Sequence, residues 1–196
     1  KLLARAPAYR MSAEQVRDQA LLASGLLSTK MYGPGVMPPQ PEGVWNVVYS
    51  GMEWQTPTDE NRYRRAVYTF WRRTSPYPSM VSFDAPSREF CQTRRINTNT
   101  PLQALVTLND PVYVEAAINL ALQTEGMSPE KAIDSLYHRT MARRLLPAKR
   151  DKLLALYQES LAEYQRNPEA ASKLLRFPFA YDPPETAPPR DYLARA

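Results

Sequence analysis

The sequence predicts a mainly helical domain carrying a small two-stranded β-ribbon and a long, ordered irregular loop at 74–99. Three observations carry that expectation. Serine, threonine, asparagine or aspartate recurs immediately before helical apolar spacing, often followed by proline. Two short runs are rich in β-branched and aromatic residues. Nineteen prolines against six glycines mark helix starts and stiff connections rather than flexible linkers.

The first helix begins at Met11-Ser12-Ala13-Glu14-Gln15-Val16. Ser12 and Gln15 have capping-box spacing, and Met11 with Val16 stands at the hydrophobic-staple spacing. Val16, Ala20, Ala23 and Leu27 keep helical periodicity and predict a helix over 13–28. The proline- and glycine-broken segment 32–43 forbids regular structure. Val44–Tyr49 and Ala66–Trp71 then read as the two strands, joined through a loop at 51–61. An isolated ribbon is marginal, so it must lie on helices.

Helical signals dominate from Thr100 onward. Thr100-Pro101-Leu102-Gln103 is a second capping box with proline at the first helical position. Asp110-Pro111 restarts the pattern, because Pro111 cannot donate to the Thr107 carbonyl. Ser128-Pro129, Leu146-Pro147 and Asn167-Pro168 repeat the device. The spacing of Ile133, Leu136, Tyr137 and Met141, and of Leu153, Leu156, Tyr157, Leu161 and Tyr164, supports the helices that follow. Residues 1–177 therefore form one domain, with a subdivision point at 126–128, and 178–196 form a proline-rich extended tail.

The 196 residues suffice for a core without staples. A net charge of +5 is a modest bias that speaks to solubility and steering, and it makes nucleic acid a poor partner. No run approaches the ~18 apolar residues of a membrane helix. A single histidine and a single cysteine exclude an intrachain disulfide and a multi-histidine or cysteine-rich metal site, so no metal is expected. His138 reads as a surface or packing residue, and Cys91 as a small buried one despite the arginines around it. No glycine-rich phosphate loop, HExxH or GxSxG occurs.

The irregular segment is where function is sought, because a loop of this length is functional or disordered. Its candidates are Arg72, Arg73, Asp84, Arg88, Arg94 and Arg95. The arginines either pin the loop by binding carbonyls and carboxylates, or form a site for carboxylate or sulfate groups. On a strand, Arg65 and Arg73 would share one face and Arg64 and Arg72 the other, which argues against one basic stripe. Asp84 before Ala85-Pro86 reads as the cap of a short helix at 85–90. Asp84 and Glu89 are the carboxylates a glycan-cleaving enzyme would use, although a sequence cannot set their separation. Tyr68, Phe70, Trp71 and Tyr77 can stack on sugars, and more often such rings are core.

The run RRAVYTFWRRTSPYPSMVSFDAPSREFCQTRRINTNTPLQALVTLNDPVYVEAA, preceded by LLARAPAYRMSAEQVRDQALLASGLL, resembles a bacterial family of unknown function. It is the planctomycete-type C-terminal domain found in proteins that also carry a cytochrome-c-like module. The resemblance is clearest over 1–125 and looser over 128–180. It implies a fragment of a longer exported protein, periplasmic or at the cell surface, whose other domains are its partners. Haem would belong to an upstream module; this sequence has no CxxCH, and no cofactor is expected in it. The expected function is a non-catalytic scaffold or interaction module. The alternatives are a glycan-active enzyme domain, or a module binding acidic polysaccharide through the arginine loop.

Overall fold

The computed structural model describes residues 9–45 and 51–175. Among these are seven α-helices: α1 Ala13–Ser24, α2 Pro78–Ser82, α3 Pro101–Asn109, α4 Pro111–Leu122, α5 Pro129–Met141, α6 Pro147–Arg166 and α7 Pro168–Leu175. The described residues divide into two compact units, one within 1–19 and 27–113 and the other within 20–26 and 114–196.

The helix starts follow the local chemistry. Gln15 Oε1 accepts from the Ser12 amide at 2.9 Å, and Ser12 Oγ accepts from the Gln15 amide at 3.4 Å, the two halves of a capping box. Gln103 Oε1 accepts from the Thr100 amide at 3.4 Å. At Pro111 the helix breaks as expected, and Asp110 Oδ1 caps α4 by accepting from the Val112 amide at 3.0 Å. Asn167 Oδ1 likewise accepts from the Ala170 amide at 3.1 Å.

Helix α1 ends four residues earlier than its periodicity predicts. Gly25 takes φ 76°, the Leu26 amide donates to Leu21 O at 2.9 Å and the Gly25 amide to Leu22 O at 3.1 Å. That pair of bonds is a Schellman motif, which satisfies the last carbonyls and turns the chain away. Glycine supplies the left-handed conformation at little cost.

The expected β-ribbon is not formed: no sheet exists among the described residues. Residues 46–50 of the first run lie outside them. The second run makes a short 3-10 turn at Ala66–Tyr68, after another at Glu60–Tyr63. Its one pairing among the described residues is an isolated parallel bridge of Thr69 with Val36. The cause lies on α1, where Asp18 Oδ1 takes the Ala66 amide at 2.7 Å and withdraws it from any ladder.

In the first unit, buried Ala13, Ala66, Tyr77 and Met80 pack with Trp54, Trp71, Phe83 and Ala85. Trp45, Trp54, Phe70 and Tyr77 extend this as an aromatic cluster with ring centroids 5.0 to 6.4 Å apart. Most of the rings that could have stacked on a ligand are thus spent on packing. In the second unit α5 packs on α6, and Arg150 grips Asp134 through bonds of 2.7 to 3.0 Å.

Helix α3 inverts the usual amphipathic rule. It buries Gln103, 4% exposed, while Leu102, Leu105 and Leu108 remain 58%, 54% and 70% exposed.

Candidate functional site

Asp84 does not start a helix; it ends one. No helix forms at 85–90. Asp84 lies at φ 62° just past α2, with its own amide on Val81 O at 3.0 Å and the Ala85 amide on Met80 O at 2.9 Å. This is again a Schellman arrangement, with a residue type that tolerates the left-handed region. The carboxylate is thereby free to reach forward. Its Oδ2 accepts from the Thr98 amide at 2.7 Å, its Oδ1 from the Thr98 hydroxyl at 2.8 Å, and Gln103 Nε2 donates to it at 3.4 Å. Asp84 closes the loop 85–97 at its base. Gln103 also donates to Thr98 Oγ1 at 3.2 Å and accepts from Arg10, so its buried amide is fully used.

The arginines are divided among different tasks. Arg95 makes a bidentate pair with Glu14 in the first turn of α1, at 2.7 and 2.9 Å. That guanidinium holds the Glu14 carboxyl well below its usual range, at about 2, against the opposing effect of burial. Arg88 carries φ 63°, an uncommon conformation for a long side chain, and its guanidinium carbon lies 5.2 Å from the Trp71 ring centroid. Arg72 stands 5.8 Å over Trp45. Arg73 and Arg94 are exposed. The Trp71 indole donates to Ser87 O at 3.3 Å, which fastens the loop to the core.

Arg88 and Arg95 line a cleft of about 80 Å³ together with Glu14, Thr69, Trp71, Met80 and Ala85. Thr69 is 8% exposed, and its hydroxyl has no hydrogen-bond partner among the described residues. Neither Thr69 nor Glu14 stood out as a site residue in the sequence. Their joining to Arg95 spans 26 and 81 residues, and no local spacing signals it.

Three further arginines are buried: Arg17, Arg62 and Arg64. Arg64 donates to Pro34 O at 3.0 Å and to Tyr32 O, and stacks 3.7 Å from the Tyr68 centroid, so it pins the proline-broken segment. Arg17 donates to Arg62 O at 3.1 Å, while its Nε and Nη1 lack partners among the described residues. Near it Asp110 is pushed up to about 6 by burial, with the Val112 amide and the Arg17 charge pulling the other way. Burial also raises the Tyr77 and Tyr113 hydroxyls. Cys91 is exposed, not the buried thiol its type suggests. His138 is exposed in the last turn of α5.

Among the described residues no cluster of three or more histidine, cysteine, aspartate or glutamate side chains is placed to hold a metal ion. No helix among them is long and apolar enough to cross a membrane. The family model described as PSD1, protein of unknown function (DUF1553), matches residues 1–157. No curated protein and no solved structure matches the chain.

Proposed function

The chain belongs to the PSD1 (DUF1553) family of proteins of unknown function, and from that premise we propose that it is a non-catalytic scaffold or interaction module of an exported, cytochrome-c-associated bacterial protein. The observation that supports this is the inverted helix α3. A nine-residue helix that hides a glutamine and presents Leu102, Leu105 and Leu108 to solvent is a surface to be covered. The occupant is another domain of the same parent protein, docking in the periplasm or at the cell surface. Internal use of Arg64 and Arg95 agrees with a scaffold, since these side chains bind the protein's own carbonyl and carboxylate groups.

The test is co-expression of this chain with the parent's cytochrome-like module, followed by size-exclusion chromatography and affinity measurement. Co-elution is expected, with Leu105→Glu plus Leu108→Glu weakening it at least tenfold while circular dichroism stays unchanged. No co-elution, or co-elution indifferent to the α3 substitutions, overturns the proposal.

A further inference from the structure

Helix α6 buries none of its side chains, although it packs against both α5 and α7. Lys149, Lys152, Leu156, Glu159 and Glu163 follow one another at alternating intervals of three and four residues, which makes them one stripe along it. All five are exposed, Leu156 to 57%. A surface groove is lined in part by Leu156, Glu159, Ser160, Glu163 and Tyr164. The charges of the stripe oppose the helix that carries them. Lys149 is in the first turn, at the positive end of the macrodipole, and Glu163 is in the last, at the negative end. Glu159 and Glu163 also repel each other at i,i+4 spacing. None of the four charged residues makes an ion pair among the described residues. This order of charges does nothing for α6 on its own.

We propose that this stripe pairs antiparallel with α6 of a second copy of this chain, across a two-fold axis at Leu156. The stripe is antisymmetric in charge about that residue. Lys149 and Glu163 stand seven residues to either side of it, while Lys152 and Ser160 stand four to either side, beside Glu159. Antiparallel pairing sets Lys149 against Glu163 of the second copy, and Lys152 against Ser160 and Glu159 of the second copy. The two-fold repeats each contact and places Leu156 on Leu156 at the centre. The two helix dipoles then run in opposite directions, each relieving the other's misplaced charges. Parallel pairing sets lysine on lysine and glutamate on glutamate, so repulsion also selects the orientation. A foreign partner needs the same charge order in reverse, and this face supplies that order to itself. The 20-residue helix is ~30 Å long, so one helix per copy buries less than the ~1,600 Å² of a standard interface, and the dimer is dissociable.

Analytical ultracentrifugation of the 196-residue chain over a hundredfold range of concentration tests this. A reversible monomer–dimer equilibrium is expected, weakening as salt is added. Lys149→Glu with Lys152→Glu should weaken it at least tenfold, and so should Glu159→Lys with Glu163→Lys. Both pairs of substitutions favour the α6 dipole, so neither variant should melt below the wild type at dilutions where all are monomers. An equimolar mixture of the two variants should associate more tightly than either alone, because every charged contact across the axis is then between opposite charges. A monomer at every concentration, a dimer indifferent to the charge reversals, or a mixture no tighter than its components overturns the proposal. None of the substituted residues belongs to α3, so the outcome is separate from docking there.

Discussion

Arg95 reaches back 81 residues to clasp Glu14, with Nη1 and Nη2 on its two carboxylate oxygens at 2.7 and 2.9 Å. The pair joins the irregular loop to the first turn of α1. Both side chains are about one third exposed, 38% and 31%, so solvent screens part of the attraction. Arg95→Ala should therefore cost only about 1 kcal/mol near neutral pH. Because the folded Glu14 titrates at about 2, against 4.5 as its ordinary value, its contribution is complete above ~4.5 and fades as pH falls toward 2. The variant should lose that part of the acid sensitivity. Urea midpoints at pH 3 and pH 6 measure it: the gap between wild type and variant should be smaller at pH 3.

Asp84 holds the loop from its other side. Replacing it with alanine removes the acceptor of the Thr98 amide and hydroxyl, and puts a residue less tolerant of φ 62° at that point. The expected loss is about 2 kcal/mol, the scale for hydrogen bonds to a charged group. The expected signature is local: trypsin should cut after Arg88 or Arg94 faster in Asp84→Ala than in the wild type. Equal cleavage would mean that the carboxylate does not hold the loop.

Helix α3 offers a reversal of the usual substitution pattern. Gln103→Leu should destabilise by about 2–3 kcal/mol, because it takes the acceptor from Arg10 and the Thr100 amide and a donor from Asp84 and Thr98. Leu105→Gln should shift stability by no more than ~0.5 kcal/mol, since the side chain is 54% exposed. Thermal or urea unfolding of the two variants checks the order. A helix with its apolar face in the core would give the opposite ranking.

Asp110 is 5% exposed, and its carboxyl is raised from 3.8 to about 6 by burial. The folded state therefore binds more protons than the unfolded one between those values, so stability falls as pH rises through ~4 to 6. Asp110→Asn keeps an oxygen for the Val112 amide, since asparagine caps helices well. It should raise stability at pH 7 by up to about 3 kcal/mol, from ~1.4 kcal/mol per pKa unit, and the gain should vanish at pH 4. A loss at pH 7 instead would show that the Arg17 charge needs the carboxylate more than burial opposes it.

What the sequence settled by itself is local. Ser12 with Gln15, Thr100 with Gln103, and the prolines at 101, 111, 129, 147 and 168 announce helix starts, because each device acts over three or four residues. Gly25 announced a helix end as well, a signal that the periodicity running on to Leu27 concealed. The tertiary structure alone decided the rest. Ala66–Trp71 has the composition of a strand, yet Asp18 on a distant helix takes the Ala66 amide, and composition carries no trace of that partner. Asp84 before Ala85-Pro86 suits a cap at either end of a helix; the preceding turn of α2 and Thr98 fourteen residues on chose the C-terminal role. The arginines are identical letters in sequence. Burial of Arg17, Arg62 and Arg64, the pairing of Arg95 and the exposure of Arg94 depend on groups tens of residues away, because long side chains reach to whatever partner the packed chain brings near.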